Sequence, residues 1–391
     1  MLAGLVLAAL NFRPAFASVS PVLETVRQDL GLSRAGASLL TTIPVLCMGI
    51  FAFGAARIGD RVGLERGVLW TIVLIGIATA GRLAGDAAVV LFATTVLVGI
   101  GIAVGQALLP AVVKRYFPDR AALVTGLYTV GFNAGAAVAA GATVALESAF
   151  GGSWPAALAF WALLALPAAA VWSLAARGSP GGARQGGVTR SSLPWGSPLA
   201  WFLGLFFAAT SCLYWSVLTW LAPMYQDEGV SKGEAGFLLT LFTFVQIFAA
   251  LVVPVLADRS RDRRPWLALV LVMNVAGLAA IAAVPLATPW GFTALIGFGI
   301  GGLFPLVLTL PLDYSPNPDA ANRLTAMMLG IGYLISALGP LVIGALRDAT
   351  GSYWVPFAAL AALCLTMLAS ALLLRPQSRA EPMSTGTPGS P

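Results

Sequence analysis

Long apolar runs separated by short polar gaps fill the chain from its first residues. Six runs lie near 2–25, 36–57, 66–84, 87–113, 120–145 and 154–175, and six more near 199–225, 234–256, 265–286, 289–311, 323–346 and 353–374. Many approach the ~20 residues that a helix needs to cross a bilayer core. The pattern predicts an all-α membrane protein with twelve transmembrane helices. Residues 177–196 are rich in Gly, Pro, Ser and Arg and have no apolar period, which predicts a flexible cytoplasmic linker. Residues 376–391 have the same character and are expected to form a disordered tail. The expected units are an N-terminal six-helix half, 1–176, and a C-terminal six-helix half, 197–375. The first run lacks a basic leader, has an arginine at its centre and is too long for a signal peptide, so it is read as a spanning helix.

The two sets repeat each other. Gly99-Ile100-Gly101 recurs as Gly299-Ile300-Gly301, and Pro118-Asp119, Ala121 and Thr125 recur as Pro318-Asp319, Ala321 and Thr325. Gln28-Asp29, Gly31 and Ser33 are echoed by Gln226-Asp227, Gly229 and Ser231; Leu39-Leu40-Thr41 by Leu238-Leu239-Thr240; and Asp60-Arg61 by Asp258-Arg259. The offset moves only from 198 to 200 residues along the chain, which predicts two six-helix pseudo-repeats related by an axis along the membrane normal, the arrangement of a transporter with its site between the repeats.

Composition sharpens this picture. The 391 residues are 59% hydrophobic and 10% charged, against roughly 25% charged in soluble domains. That excludes a soluble enzyme and a disordered protein. There is no histidine, which removes most zinc sites, Ser-His-Asp triads and imidazole relays. Cys47, Cys212 and Cys364 lie in three separate apolar runs and read as small apolar residues. Placing both termini in the cytoplasm puts sixteen Lys and Arg on the cytoplasmic side, and only Arg27, Arg34, Arg82, Lys232 and Arg347 outside. This follows the positive-inside rule. The net charge of +6 therefore reflects topology in a cytoplasmic (inner) cell membrane, and nucleic acid is not an expected partner.

At Gly59-Asp60-Arg61-Val62-Gly63, between the second and third helices, the chain resembles the conserved loop of the major facilitator superfamily. The match is partial: Ala56 stands where the family has Gly, and Leu64-Glu65 where it has a basic pair, with Arg66 one place on. A degenerate copy, Ala257-Asp258-Arg259, lies in the matching loop of the second half. The first helix reads Asn11-Phe12-Arg13-Pro14, then Ser18-Val19, Pro21 and Leu23; the second carries Leu39-Leu40-Thr41, Pro44 and Met48-Gly49. With Gly99-Ile100-Gly101, Gln106, Pro110 and Lys114-Arg115, this is similar to the cyanate and nitroimidazole porter branch of that family. The resemblance covers the whole chain. It implies the major facilitator fold, alternating access, a cavity lined by the first, fourth, seventh and tenth helices, and cyanate import or nitroimidazole export as activities. It also implies a charge latch at Asp60, Arg61 and Arg66, with Asp258 and Arg259 in the matching loop.

Arg13 is the sharpest chemical signal. Twelve residues at 1.5 Å each place it about 18 Å into its helix, where a charge costs at least ~2.5–3.5 kcal/mol. Either it faces the cavity as counter-charge to an anionic or dipolar planar solute, or backbone carbonyls and neighbouring Gln and Asn satisfy it. Pro14 removes a backbone donor and loosens the helix there, which can expose carbonyls to a solute. The other candidate contacts are Gln106, Tyr214 and Trp215 on lining helices, and Tyr128, Asn133, Gln246 and Tyr333 on supporting ones; for each, a helix–helix hydrogen bond is the alternative. Gly99, Gly101, Gly105, Gly131 and Gly135 read as close-packing positions. No Asp or Glu lies at the centre of a helix, so dedicated proton coupling is not expected. No ATP site, metal site or other cofactor is expected. The expected partners are a small-molecule solute and the lipid bilayer, with the chain acting as a monomer. The leading function is transport of a small anionic or polar planar solute resembling cyanate, with export of nitroimidazole-like or drug-like compounds second. A non-transporting receptor or scaffold would call for a soluble domain or signalling tail, which the sequence lacks.

Overall fold

A computed structural model describes residues 1–52, 62–84, 87–177, 193–260, 263–315 and 318–373. Twelve helices among them are long and apolar enough to span a membrane: α1 (Leu2–Asp29), α2 (Arg34–Phe51), α3 (Leu64–Ala84), α4 (Ala88–Tyr116), α5 (Leu123–Ala149), α6 (Trp154–Ala176), α7 (Pro198–Asp227), α8 (Lys232–Ala257), α9 (Arg264–Ala283), α10 (Pro289–Pro311), α11 (Arg323–Thr350) and α12 (Trp354–Ala371). The architecture is all-helical, with no strand among the described residues. An even number of spans puts both termini on one face, called here the terminal face; the loops near 31, 151, 229 and 351 lie on the opposite face. The expected tail lies outside the described residues, as does most of the expected linker.

The repeated Gln-Asp…Gly…Ser motif is a helix stop followed by a helix start. Gly31 and Gly229 take positive φ, 60° and 89°, a conformation glycine adopts without penalty at a helix end. Two residues on, the Ser33 hydroxyl accepts from the Gly36 N–H at 2.9 Å and the Ser231 hydroxyl from the Glu234 N–H at 3.2 Å, capping α2 and α8. The same four-residue device thus turns the chain at equivalent places in both halves.

The halves meet chiefly through α1 with α7, α2 with α11, and α5 with α8, and more narrowly through α1 with α8 and α2 with α7. Large apolar side chains such as Trp70, Ile77, Leu166 and Phe244 face outward, where lipid tails leave them at no cost. Close packing inside depends on the glycines. A Cβ on Gly99 would meet Pro44 and Cys47 of α2, and one on Gly101 would meet Ile75 of α3; a Cβ on Gly299 would meet Asn274 of α9, and one on Gly301 the Gln246 backbone of α8. In each half, therefore, one glycine of the Gly-Ile-Gly pair turns to the second helix and the other to the third.

Candidate functional site

The first span is broken where the sequence says it should be. Its helix runs Leu2–Phe12, then Pro14–Ala17, then Val19–Asp29, with Arg13 at the first break. Pro14 has no N–H to give to Leu10, and the released Leu10 carbonyl faces Gly135 of α5, so close that a Cβ there would collide with it. One turn away, the carbonyl of Val6 lies 3.0 Å from where a Cβ of Gly131 would stand. The carbonyl freed by Pro14 is thus taken up by helix packing, and the helix break serves to aim Arg13.

Arg13 reaches across to the other half. Its Nη1 donates to the Tyr214 hydroxyl on α7 at 2.9 Å. Its guanidinium carbon lies 5.3 Å from the Trp215 ring, 5.7 Å from Phe132 and 5.9 Å from Tyr214, all within cation–π range. Phe132 belongs to α5 in the first half, whereas Tyr214 and Trp215 belong to the second. A further ring of aromatics holds this cage. Phe16 meets Trp215 edge-on at 5.0 Å, Tyr128 meets Phe132 edge-on at 5.6 Å, and Phe12 packs on Phe132 at 6.0 Å. Tyr128 therefore stands behind Phe132 and supports it. Tyr333 of α11 lies within electrostatic reach of Arg13 and Tyr214, with Gln106 of α4 beside its hydroxyl. The Trp215 indole N–H and the Gln106 amide oxygen are buried and have no partner among the described residues, so one donor on the ring beside the cation and one acceptor beside Tyr333 stand uncommitted.

Five sequence candidates, Arg13, Gln106, Tyr214, Trp215 and Tyr333, thus meet at one place between the halves. Asn133 and Gln246 are not joined to them by a hydrogen bond among the described residues. Asn133 is half-buried, and Gln246 is buried with its backbone against α10. Phe132 and Phe16 belong to the site and were not anticipated. Phe132 falls one turn after Tyr128 on the same helix face, a spacing that could have singled it out.

No carboxylate lies near Arg13 in the described structure; the acids sit at helix ends. On the face opposite the termini, Asp227, Asp348 and Glu147 fasten the halves together. Asp227 pairs with Arg34 of α2 at 3.5 Å and with Arg347 of α11. Asp348 accepts from the backbone N–H groups of Arg34 and Ala35 at 3.2 and 3.0 Å. Lys232 of α8 bonds Glu147 of α5 at 2.5 Å and the Thr25 hydroxyl at 2.6 Å. Deeper in the seam, Ser20 donates to the Thr219 carbonyl at 2.8 Å and the Thr219 hydroxyl meets that of Thr41 at 2.9 Å. Tyr353, beneath Arg347 at 5.1 Å, has its phenol pushed well above the ordinary range by burial, with the Arg34 cation opposing.

At the terminal end, the ion pairs between described residues stay within one half: Arg115–Glu65 at 3.1 Å and Arg263–Asp313 at 3.0 Å. Asp60 and Arg61 lie outside the described residues, as does the Asp258 side chain; Arg66 and Arg259 are exposed. Glu65, standing where the resembled family has a basic residue, accepts from the Tyr116 hydroxyl at 2.7 Å, and its carbonyl accepts from Trp172 at 2.8 Å. It ties α3 to α4 and α6.

Known proteins resemble this chain in sequence and in fold. The model of the Major Facilitator Superfamily matches residues 5–228 and again 204–388. The cyanate transport protein CynX of Escherichia coli (strain K12) is 35% identical over 368 residues, spanning 94% of this chain and 95% of that one. The 2-nitroimidazole transporter of the same organism is 32% identical over 370 residues, spanning 94% and 93%. Among solved structures, a bacterial homologue of the human lysosomal transporter Spinster, in its inward-facing and occupied conformation, superposes with a TM-score of 0.73 over 95% of each chain, at 17% identity.

Proposed function

This chain belongs to the Major Facilitator Superfamily, and we propose that it carries a small planar anion across the cell membrane by alternating access, binding it at Arg13 between the halves. The observation that carries the reading is a mid-span guanidinium with no acidic partner among the described residues, held at the seam by groups from both halves. A guanidinium presents paired donors that match a planar anion, and the Trp215 N–H on the ring beside it is free to read its other atoms. Cyanate-like anions are the leading substrate class. The rings around Arg13 favour a second reading, in which a flat nitro-heteroaromatic compound stacks in the same place.

The concentration of Lys and Arg at the terminal face supports a cytoplasmic placement of both termini. On that placement the fastened face is external and the described state is inward-facing. Gating at the cytoplasmic edge by Asp60, Arg61, Arg66, Asp258 and Arg259, and a monomeric working unit, complete the proposal. The test is uptake into liposomes holding the purified protein, with labelled cyanate and 2-nitroimidazole offered separately. Saturable uptake of either, lost in Arg13→Gln with unchanged elution on gel filtration, is the expected result. Normal uptake by Arg13→Gln would overturn the assignment of the site.

A further inference from the structure

Every partner of the Arg13 guanidinium in the described structure is electrically neutral. One is the Tyr214 hydroxyl and three are ring faces, from Phe132 in the first half and Tyr214 and Trp215 in the second. This matters for the return stroke. A carrier whose site holds a bare cation cannot readily close around it when empty, because the closed site strips water from the charge. Such a carrier swaps one anion for another and does nothing else. Here the protein itself supplies the solvation: ring faces bring negative potential and Tyr214 an oxygen, and they approach the cation from both halves.

Resting on the anion reading above, we propose that this aromatic cage lets the unloaded carrier reorient, so that the protein moves its anion in one direction without obligatory exchange. The aromatic side chains packed behind the cage agree with a permanent role for it. Phe16, Phe12 and Tyr128 brace Trp215 and Phe132, so the rings are held by other side chains of the protein. One-way transfer carries one negative charge per cycle, and membrane potential acts on it directly. In an inside-negative cell the anion then runs outward, unless the cytoplasm consumes it.

The experiment compares two modes in one preparation of the wild-type protein. Liposomes loaded with [14C]cyanate are diluted into cyanate-free medium, with potassium and valinomycin to carry the compensating charge, or into medium holding unlabelled cyanate. The expected result is net efflux within about tenfold of exchange, and slower efflux when valinomycin is left out. Exchange without net efflux above protein-free vesicles overturns the proposal. Absence of both overturns the anion reading on which it rests. Trp215→Leu should lower the ratio of net efflux to exchange at least tenfold, and Trp215→Phe, which keeps a ring face, should restore it. The ratio does not depend on how much protein folds, so a Trp215→Leu ratio equal to wild type counts against the cage even when both rates fall.

Discussion

The carboxylate of Asp348 caps the helix that begins at Arg34, although the two residues belong to opposite halves. It accepts from two backbone N–H groups that no residue of α2 itself satisfies. A helix of one half is thus completed by a side chain of the other, and only while this face is closed. Replacing a capping oxygen by Ala costs about 1 kcal/mol, so Asp348→Ala should shift the balance toward the state open on this face by about fivefold. Distance measurement between spin labels placed on the loops near 32 and 351 checks this. An unchanged distance distribution would mean the cap contributes nothing to closure.

Tyr353 gives the same face a pH dependence at the alkaline end. Burial raises its phenol above the ordinary value of 10.0. A raised acid favours the neutral form in the folded state, so its contribution is complete below the ordinary tyrosine range and is lost as pH rises through the folded value. Thermal melting of wild type and Tyr353→Phe between neutral and strongly alkaline pH should show a smaller alkaline loss in the variant.

Replacement of Arg13 separates charge from shape. Hydrogen bonds to charged groups contribute about 1.5–3 kcal/mol, so Arg13→Gln should weaken anion binding by ten- to a hundredfold. Arg13→Lys keeps the charge but loses the planar fork and its stacking on Trp215, and should recover only part of the affinity. Thermal shift with cyanate titrated into each protein measures both. Full recovery by lysine would reduce the role of the site to a point charge.

Arg82 makes the opposite case. It is 2% exposed, and its Nε and Nη1 have no partner among the described residues. A buried charge left unpaired is costly, so Arg82→Met should raise the melting temperature, by an amount equivalent to about 1 kcal/mol or more. A lower melting temperature would assign this arginine a stabilising partner in the membrane.

The spans were legible because bilayer thickness imposes a length on every helix, and the apolar runs keep to it within a few residues. Arg13 was legible for a related reason: hydrocarbon makes an isolated charge conspicuous. Its bond to Tyr214 was not, since 201 residues separate them and helical periodicity is silent about which faces meet. Phe132 hid among the apolar residues of its helix, where an aromatic side chain does not distinguish lipid from cage. The ties at the far face left a clue that went unused. Of the five basic residues that break the charge asymmetry, Arg27, Arg34, Lys232 and Arg347 are each ion-paired, and Arg82 is buried. Cations on the disfavoured side were there because acids held them.

The Thr41–Thr219 contact at the seam is built for repeated use. Thr219 has a second acceptor in reach, the carbonyl of Trp215 on its own helix at 2.7 Å, and Thr41 likewise bonds Ser38 at 2.9 Å. When α2 and α7 draw apart, the Thr219 hydroxyl turns its proton to the Trp215 carbonyl, Thr41 keeps its bond to Ser38, and neither is stranded. Separation therefore incurs almost no polar penalty at this level, and re-closure needs no water to be expelled from an orphaned group. A fastening that both sides can release and remake at will is what a molecule needs if it is to rock many times a second without wearing a preference for either pose.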